Sequence, residues 1–445
     1  MAWVALIPAS HEMAADAWQS INAILKDVVE QRYLSLVLPW KHSPYEDAIL
    51  FEYMALGTAN PVWWQRCTDR LNNTIGQSSQ QVARLALFDG LCGLGWTVEH
   101  ISQVLNEQAS KTQPVAVAAQ DESRDDLNEE VDTAVVGRLP SAKHARVFDL
   151  ISGLVGQGVY LLERWPSGRS EQGLRSVITA LNEIAEHGLG TSTWRTMPHL
   201  LPDRERNLWP DGYYNLGVAH GVPGVLQFLW QVTGTRIEAE TVTRLLDETI
   251  AWLVAQSGSD KQRLRFKAWV SAGGKSSDAR PVWCYGDLGV AAVLVQVAEG
   301  RRNDVLDTLV SEMLETCLKL PFESYNVQDA GLCHGASGVA HIYNRLYQRL
   351  GDQRFRDAAL VWYERILRMS TPGTGVGGYS KYATTGPGGT AAWEPWPGLL
   401  DGSIGIALAL LAAVTPVEPR WDRLMLLSSR FAEKTISGHA GTPLV

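Results

Sequence analysis

A Gly-x-x-Gly unit recurs six times along this chain, and no other feature constrains its fold as strongly. The pairs are Gly90/Gly93, Gly153/Gly156, Gly221/Gly224, Gly286/Gly289, Gly335/Gly338 and Gly402/Gly405. Successive first glycines lie 63, 68, 65, 49 and 67 residues apart, room for a pair of helices in each interval. The residue before each first glycine is Asp89, Ser152, His220, Tyr285, His334 or Asp401, polar every time although apolar sequence follows. In a chain that is 45% hydrophobic, this regularity predicts equivalent helices presenting the same end to one shared cavity. The glycines let crowded helix starts approach, and the polar residues line the space they enclose. Free N–H groups at such helix starts would favour anionic groups there.

From residue 142 onward each unit opens an apolar helix and an amphipathic one follows. The expected pairs are Gly153–Arg164 with Glu171–Glu186, Gly221–Val232 with Glu238–Gln256, and Gly286–Ala298 with Asn303–Leu320. Gly335–Leu350 with Gln353–Met369 and Gly402–Val414 with Arg420–Ile436 complete the series. The first members are apolar nearly all round and predict burial; the second carry charge on one face and predict an outer position. The fold class expected is therefore all-α: an α/α toroid, a double ring of inner and outer helices in six to seven pairs, as a single domain over residues 1–445. Residues 12–35, 61–75 and 79–89 predict further helices, and Gly95 to about Leu105 another. Residues 107–141 are polar and acidic and predict an insertion or surface loop. Residues 189–215 predict short hairpins and a small extension, and Gly/Pro-rich loops over 371–400 lead back to the cavity end.

A net charge of −9 argues against nucleic acid as a partner. No run of about 18 apolar residues predicts a transmembrane segment, and the apolar start Met1-Ala-Trp-Val-Ala-Leu-Ile-Pro lacks the basic region of a signal peptide. Five cysteines at irregular spacing do not form a disulfide framework, which fits a reducing cytoplasm.

The chemistry gathers at the ring register. Cys284, Cys333 and His334 sit just before the first glycines of two successive inner helices, so neighbouring helix starts would bring them together. Two thiolates and an imidazole suit zinc, and three protein ligands leave the fourth tetrahedral position open, as catalytic zinc requires. His220 holds the same register on another helix and suits a general acid/base beside that metal. Asp149 can orient His220, Arg280 can offset negative charge, and Tyr285 can donate a hydrogen bond. Asp89 and Asp401 suit helix caps, while Cys67, Cys92 and Cys317 are expected to be structural.

Ala219-His220-Gly221, Trp283-Cys284-Tyr285-Gly286 and Cys333-His334-Gly335, in this order on a Gly-x-x-Gly repeat, resemble the lanthipeptide (lantibiotic) cyclases of the LanC type. The resemblance runs from about Gly90 to Gly405. It implies a double α-toroid with one catalytic zinc held by Cys284, Cys333 and His334. It also implies His220 as the acid/base, with Asp149, Arg280 and Tyr285 in support. The implied activity is addition of peptide cysteine thiolates to dehydroalanine or dehydrobutyrine, forming thioether rings in a dehydrated precursor peptide. A lanthipeptide dehydratase and an exporter are the implied partners, and the implied location is cytoplasmic, peripheral to the membrane through a biosynthetic complex. The resemblance further implies a small α/β extension, with 107–141 and 189–215 as its candidate segments. A LanC-like glutathione- or thiol-binding scaffold without ring-forming activity is the alternative. A zinc-dependent prenyltransferase subunit would call for an Asp ligand, and an α/α-barrel glycosidase would leave the Cys/Cys/His set unexplained.

Overall fold

The computed structural model describes residues 2–32, 43–78, 84–111, 122–201, 203–384 and 390–431. Fifteen helices occupy them: α1 (Ala14–Val29), α2 (Tyr45–Thr58), α3 (Pro61–Ser78), α4 (Leu91–Lys111), α5 (Glu122–Ala145), α6 (Leu154–Arg164), α7 (Ser170–Ile184), α8 (Asp203–Arg206), α9 (Val222–Val232), α10 (Ala239–Gln256), α11 (Asp287–Arg301), α12 (Asp304–Lys319), α13 (Ala336–Leu350), α14 (Gln353–Arg368) and α15 (Ser403–Val414). Seven of these close an inner ring in the order α2, α4, α6, α9, α11, α13, α15 and back to α2. Outside them lie α3, α5, α7, α10, α12, α14 and α1, each packed on an inner helix and α5 on both α4 and α6. The protein is an all-α toroid of seven pairs. Three small β elements decorate it: a hairpin of β1 (Glu186–Gly188) and β2 (Thr191–Thr193), a sheet of β3 (Tyr214–Asn215), β4 (Trp269–Val270) and β5 (Ser276–Ser277), and a hairpin of β6 (Lys381–Thr384) and β7 (Ala391–Glu394).

The repeat explains how the inner ring is assembled. The first glycine of a unit is the N-cap, in extended conformation at Gly153, Gly221, Gly335 and Gly402. Gly286 instead has φ +88°, a left-handed value that a Cβ would strain. The second glycine lies in the first helical turn against the incoming chain. A Cβ at any of the six would overlap the carbonyl oxygen six residues earlier, that of Leu150 for Gly156 or Leu332 for Gly338.

The same wrap corrects the expectation of free N–H groups. In α6, Leu154, Val155 and Gly156 donate to the carbonyls of Val147, Phe148 and Asp149; in α13, Ala336, Ser337 and Gly338 donate to Asp329, Ala330 and Gly331. The helix starts are satisfied by their own loops, so anion binding there falls to side chains.

Adjacent loops are stitched together at the residue two before the first glycine. Phe88 N–H donates to Ile151 (3.4 Å), Cys284 N–H to Cys333 (3.2 Å) and Cys333 N–H to Leu400 (2.8 Å). Leu150 N–H, three residues before its glycine, donates to Ala219 of the next loop. The seventh inner helix, α2, has no glycine unit and uses side chains at the same end. Tyr45 Oη accepts from Asp89 N–H, and Glu46 Oε2 accepts from Leu399 N–H.

Several expected boundaries change. Residues 122–145 are not a loop but the outer helix α5; the remainder of 107–141 is the end of α4 and, over 112–121, lies outside the described residues. Its core-facing stripe of Leu127, Val131, Val135 and Leu139 is narrow. Beside that stripe Asp132 is also buried, held by Tyr160 and Arg164 at 2.6 and 3.1 Å. Residues 84–89 are irregular instead of helical, and 79–83 lie outside the described residues. The expected helix Arg420–Ile436 is only a 3₁₀ turn over Arg420–Met425, with 432–436 outside the described residues. Helix α1 takes its place beside α15. Residues 189–215 supply β2 and β3, with β1 beginning just before them.

The chain after α15 turns into the ring. Trp421, Met425 and Leu426 are fully buried, and Gln227, Gln296 and Trp283 donate side-chain hydrogen bonds to the carbonyls of Leu426, Leu426 and Met425. The bore is thus filled, which leaves the stitched loops to form the working face.

Candidate metal centre and acid–base pair

Cys284 and Cys333 stand at equivalent positions before α11 and α13, and the backbone bond between them sets their side chains next to each other. Their Sγ atoms and a ring nitrogen of His334 all lie within 4.8 Å of one another. Ligand bonds of about 2.0–2.3 Å to a tetrahedral zinc put donors roughly 3.5–3.8 Å apart, so the set is gathered at close to ligand spacing. Cys284 is buried, whereas the His334 side chain is 28% exposed, so the group is open on one side.

The electrostatics prepare the sulfurs for a cation. A hydrogen bond from Cys333 stabilises the Cys284 thiolate; burial opposes this, but His334 and Arg280 add to it, bringing the thiol down to about 5. The Cys333 thiol is held well above the ordinary value, first by the proton it shares with Cys284 and then by burial. Burial disfavours the charged form of His334, yet its contact with Cys284 and the charge of Asp401 outweigh that and raise its pKa. Two sulfurs and an imidazole that share protons this closely are donors of the kind that can hold a divalent metal ion.

Three of the other expected residues, His220, Arg280 and Tyr285, interact electrostatically with Cys284, and Asp149 is joined to His220. His220 Nδ1 lies 2.6 Å from Asp149 Oδ2, and Asp149 Oδ1 is fixed in turn by the N–H of Ser152 at 2.8 Å. Burial works against a charged His220, but the hydrogen bond and charge of Asp149, with a smaller push from Cys284, hold its pKa above the ordinary histidine value. Its side chain is nevertheless 44% exposed and reachable by a substrate. Arg280 donates to the Asn326 carbonyl at 3.1 Å and bears on the charge of Cys284. The Tyr285 hydroxyl accepts from Asn215 Nδ2 at 3.4 Å, and burial, opposed by that bond and reinforced by Cys284, keeps it a neutral phenol.

Two residues differ from expectation. Asp401 is no helix cap, since Gly402 takes that place; its carboxylate lies between His334 and Lys381. Asp89 has φ +65° and meets Tyr45 through its own N–H, not through a capping side chain. Lys381 was not legible as a site residue, because it reaches the site from a strand with no place in the glycine register; Asn215, five residues before His220, meets Tyr285 across the ring. Cys67, Cys92 and Cys317 are buried and lie outside the cluster.

A family model described as Lanthionine synthetase C-like protein matches residues 48–426. The chain belongs to this family. This LanC-like chain is 24% identical over 219 residues to the nisin biosynthesis protein NisC of Lactococcus lactis subsp. lactis, across 47% of the chain and 51% of that protein. The alignment thus spans about half the length of this curated relative. A solved nisin cyclase superposes with a TM-score of 0.71 at 16% identity, covering 94% of this chain and 99% of that one. At that identity the likeness speaks to the toroid alone. Among the described residues, no helix is long and apolar enough to cross a membrane.

Proposed function

We propose that this protein is a zinc-dependent lanthionine synthetase that closes thioether rings in a dehydrated precursor peptide. The observation that carries the reading is the convergence of Cys284, Cys333 and His334 beside the His220–Asp149 pair, on a chain of this family. A zinc ion held by those three donors would keep one position open and would lower the pKa of an incoming peptide thiol from about 8.5.

The protein's own groups then account for the rest. The peptide sulfur adds to the β-carbon of a dehydroalanine or dehydrobutyrine: the carbon–sulfur bond forms as the α,β double bond opens, and the proton lost by the thiol is matched by one gained at the α-carbon. His220, partly exposed and held by Asp149, is the group that moves this proton. Negative charge that builds on the substrate carbonyl is offset by Arg280 and met by the neutral hydroxyl of Tyr285. A dehydratase acting on Ser and Thr, an exporter and a location at the cytoplasmic membrane surface belong to the same proposal.

The test is to incubate the purified chain with a dehydrated peptide containing cysteine. Loss of free thiol without mass change, together with about one zinc per chain, is the expected result. Addition of glutathione mass in its place would support the thiol-binding alternative. Cys284→Ala and Cys333→Ala are expected to purify with far less than one zinc; full occupancy in both would overturn the metal assignment.

A further inference from the structure

The carboxylate of Asp401 is placed as if to serve the metal site from behind. It occupies the register position before α15 that His334 occupies before α13, and the two loops are joined by the N–H groups of Leu332 and Cys333 donating to Leu400 at 2.7 and 2.8 Å. Gly331 permits this approach, since a Cβ there would stand 3.1 Å from the Asp401 Cα. Asp401 Oδ1 lies 3.7 Å from His334 Nδ1, and Oδ2 lies 2.6 Å from Lys381 Nζ on β6. Lys381 is itself settled over the Trp396 ring at 4.5 Å.

A second carboxylate, Asp329, also acts electrostatically on His334. Its oxygens are already engaged, Oδ1 by the N–H of Gly331 at 3.1 Å and Oδ2 by the N–H of Tyr382 at 2.9 Å. Asp401 is therefore the acid with an oxygen facing the imidazole.

We propose that Asp401 is a positioning residue for His334, its charge 3.7 Å from Nδ1 favouring the orientation of the imidazole toward the metal, and that Lys381 holds Asp401 in that role. The inference rests on the zinc reading above. A ligating histidine depends on a partner for its other ring nitrogen, and loss of such a partner weakens metal binding by about 10–100-fold. Lys381 also roots the β6–β7 hairpin at this point, so the hairpin and the metal ligand share one ion pair.

The experiment is zinc affinity by chelator competition, with cobalt(II) absorption spectra, on the full chain and its variants. Asp401→Asn, which keeps shape and loses charge, is expected to bind zinc about 10–100-fold more weakly and to shift the cobalt bands, with an unchanged unfolding midpoint of the metal-free protein. Asp401→Glu is expected to recover part of the affinity, and Lys381→Met to lose less than Asp401→Asn, in the same direction. Wild-type affinity and spectrum in Asp401→Asn, while Cys333→Ala loses metal, would overturn this inference alone. Undiminished metal binding by Cys333→Ala would overturn the zinc reading and this inference with it.

Discussion

His220 shows how one contact decides a residue's chemistry. Burial alone would push its pKa down, and Asp149 at 2.6 Å reverses that. Asp149→Asn should therefore lower the His220 pKa, read by proton NMR titration of the imidazole; an unmoved value would deny the pair its electrostatic role. The linkage has a definite sign. Because the folded pKa is raised, the pair's stabilisation is complete below the unfolded histidine value of about 6.5. It fades as pH rises through the folded value. His220→Ala should keep its zinc and lose about 10²–10⁴ in cyclisation rate, measured by single-turnover mass spectrometry with metal analysis alongside. Cys284, Cys333, His334 and His220 were legible because each sits one or two residues before a first glycine, while Lys381 was not, since no spacing links it to them.

At the scale of the element, the glycine unit is a packing device more than a flexibility device. The second glycine passes against the carbonyl six residues back, and the close fit lets the loop satisfy the helix start. Gly338→Ala should destabilise by at least about 1–3 kcal/mol, and it should also disturb the neighbouring Cys333–His334 pair. Gly137, in the outer helix α5 with open space around it, is the control: Gly137→Ala should stabilise by about 0.5–1 kcal/mol. Equilibrium urea unfolding separates the two, and equal effects would mean that the repeat does not act through close approach. Helix α5 escaped a periodicity argument because its inward face carries Arg124, Asn128 and Asp132 among its apolar residues. Buried ion pairs conceal amphipathicity from any count of hydrophobic positions.

For the whole molecule, closure depends on the two chain ends. Helix α1 covers α15, α2 completes the inner ring, and the stretch after α15 fills the bore. That stretch is anchored by charge: Asp422 pairs with Arg345 Nε at 2.6 Å and His341 at 2.8 Å, while Arg423 meets Glu163 at 3.1 Å. Burial of Asp422 is outweighed by Arg345 and His341, which hold its carboxyl down to about 2. Asp422→Ala would take from buried Arg345 its best-placed acid, leaving it Glu418 and the Pro419 carbonyl, and would deprive His341 of its partner; it is expected to cost up to about 3–5 kcal/mol. A denaturation midpoint equal to wild type would show that the bore filling is not what joins the ring's two sides.

The amino-acid sequence by itself determined the repeat, the alternation of inner and outer helices, and the register on which Cys284, Cys333, His334 and His220 converge. Those follow from periodicity, which is local and repeats along the chain. Tertiary structure alone decided that the ring has seven members, that α1 serves as the last outer helix, and that Asp401 faces His334 instead of capping α15. Such outcomes depend on contacts between residues tens to hundreds of positions apart, and sequence spacing carries no information about which distant surfaces meet.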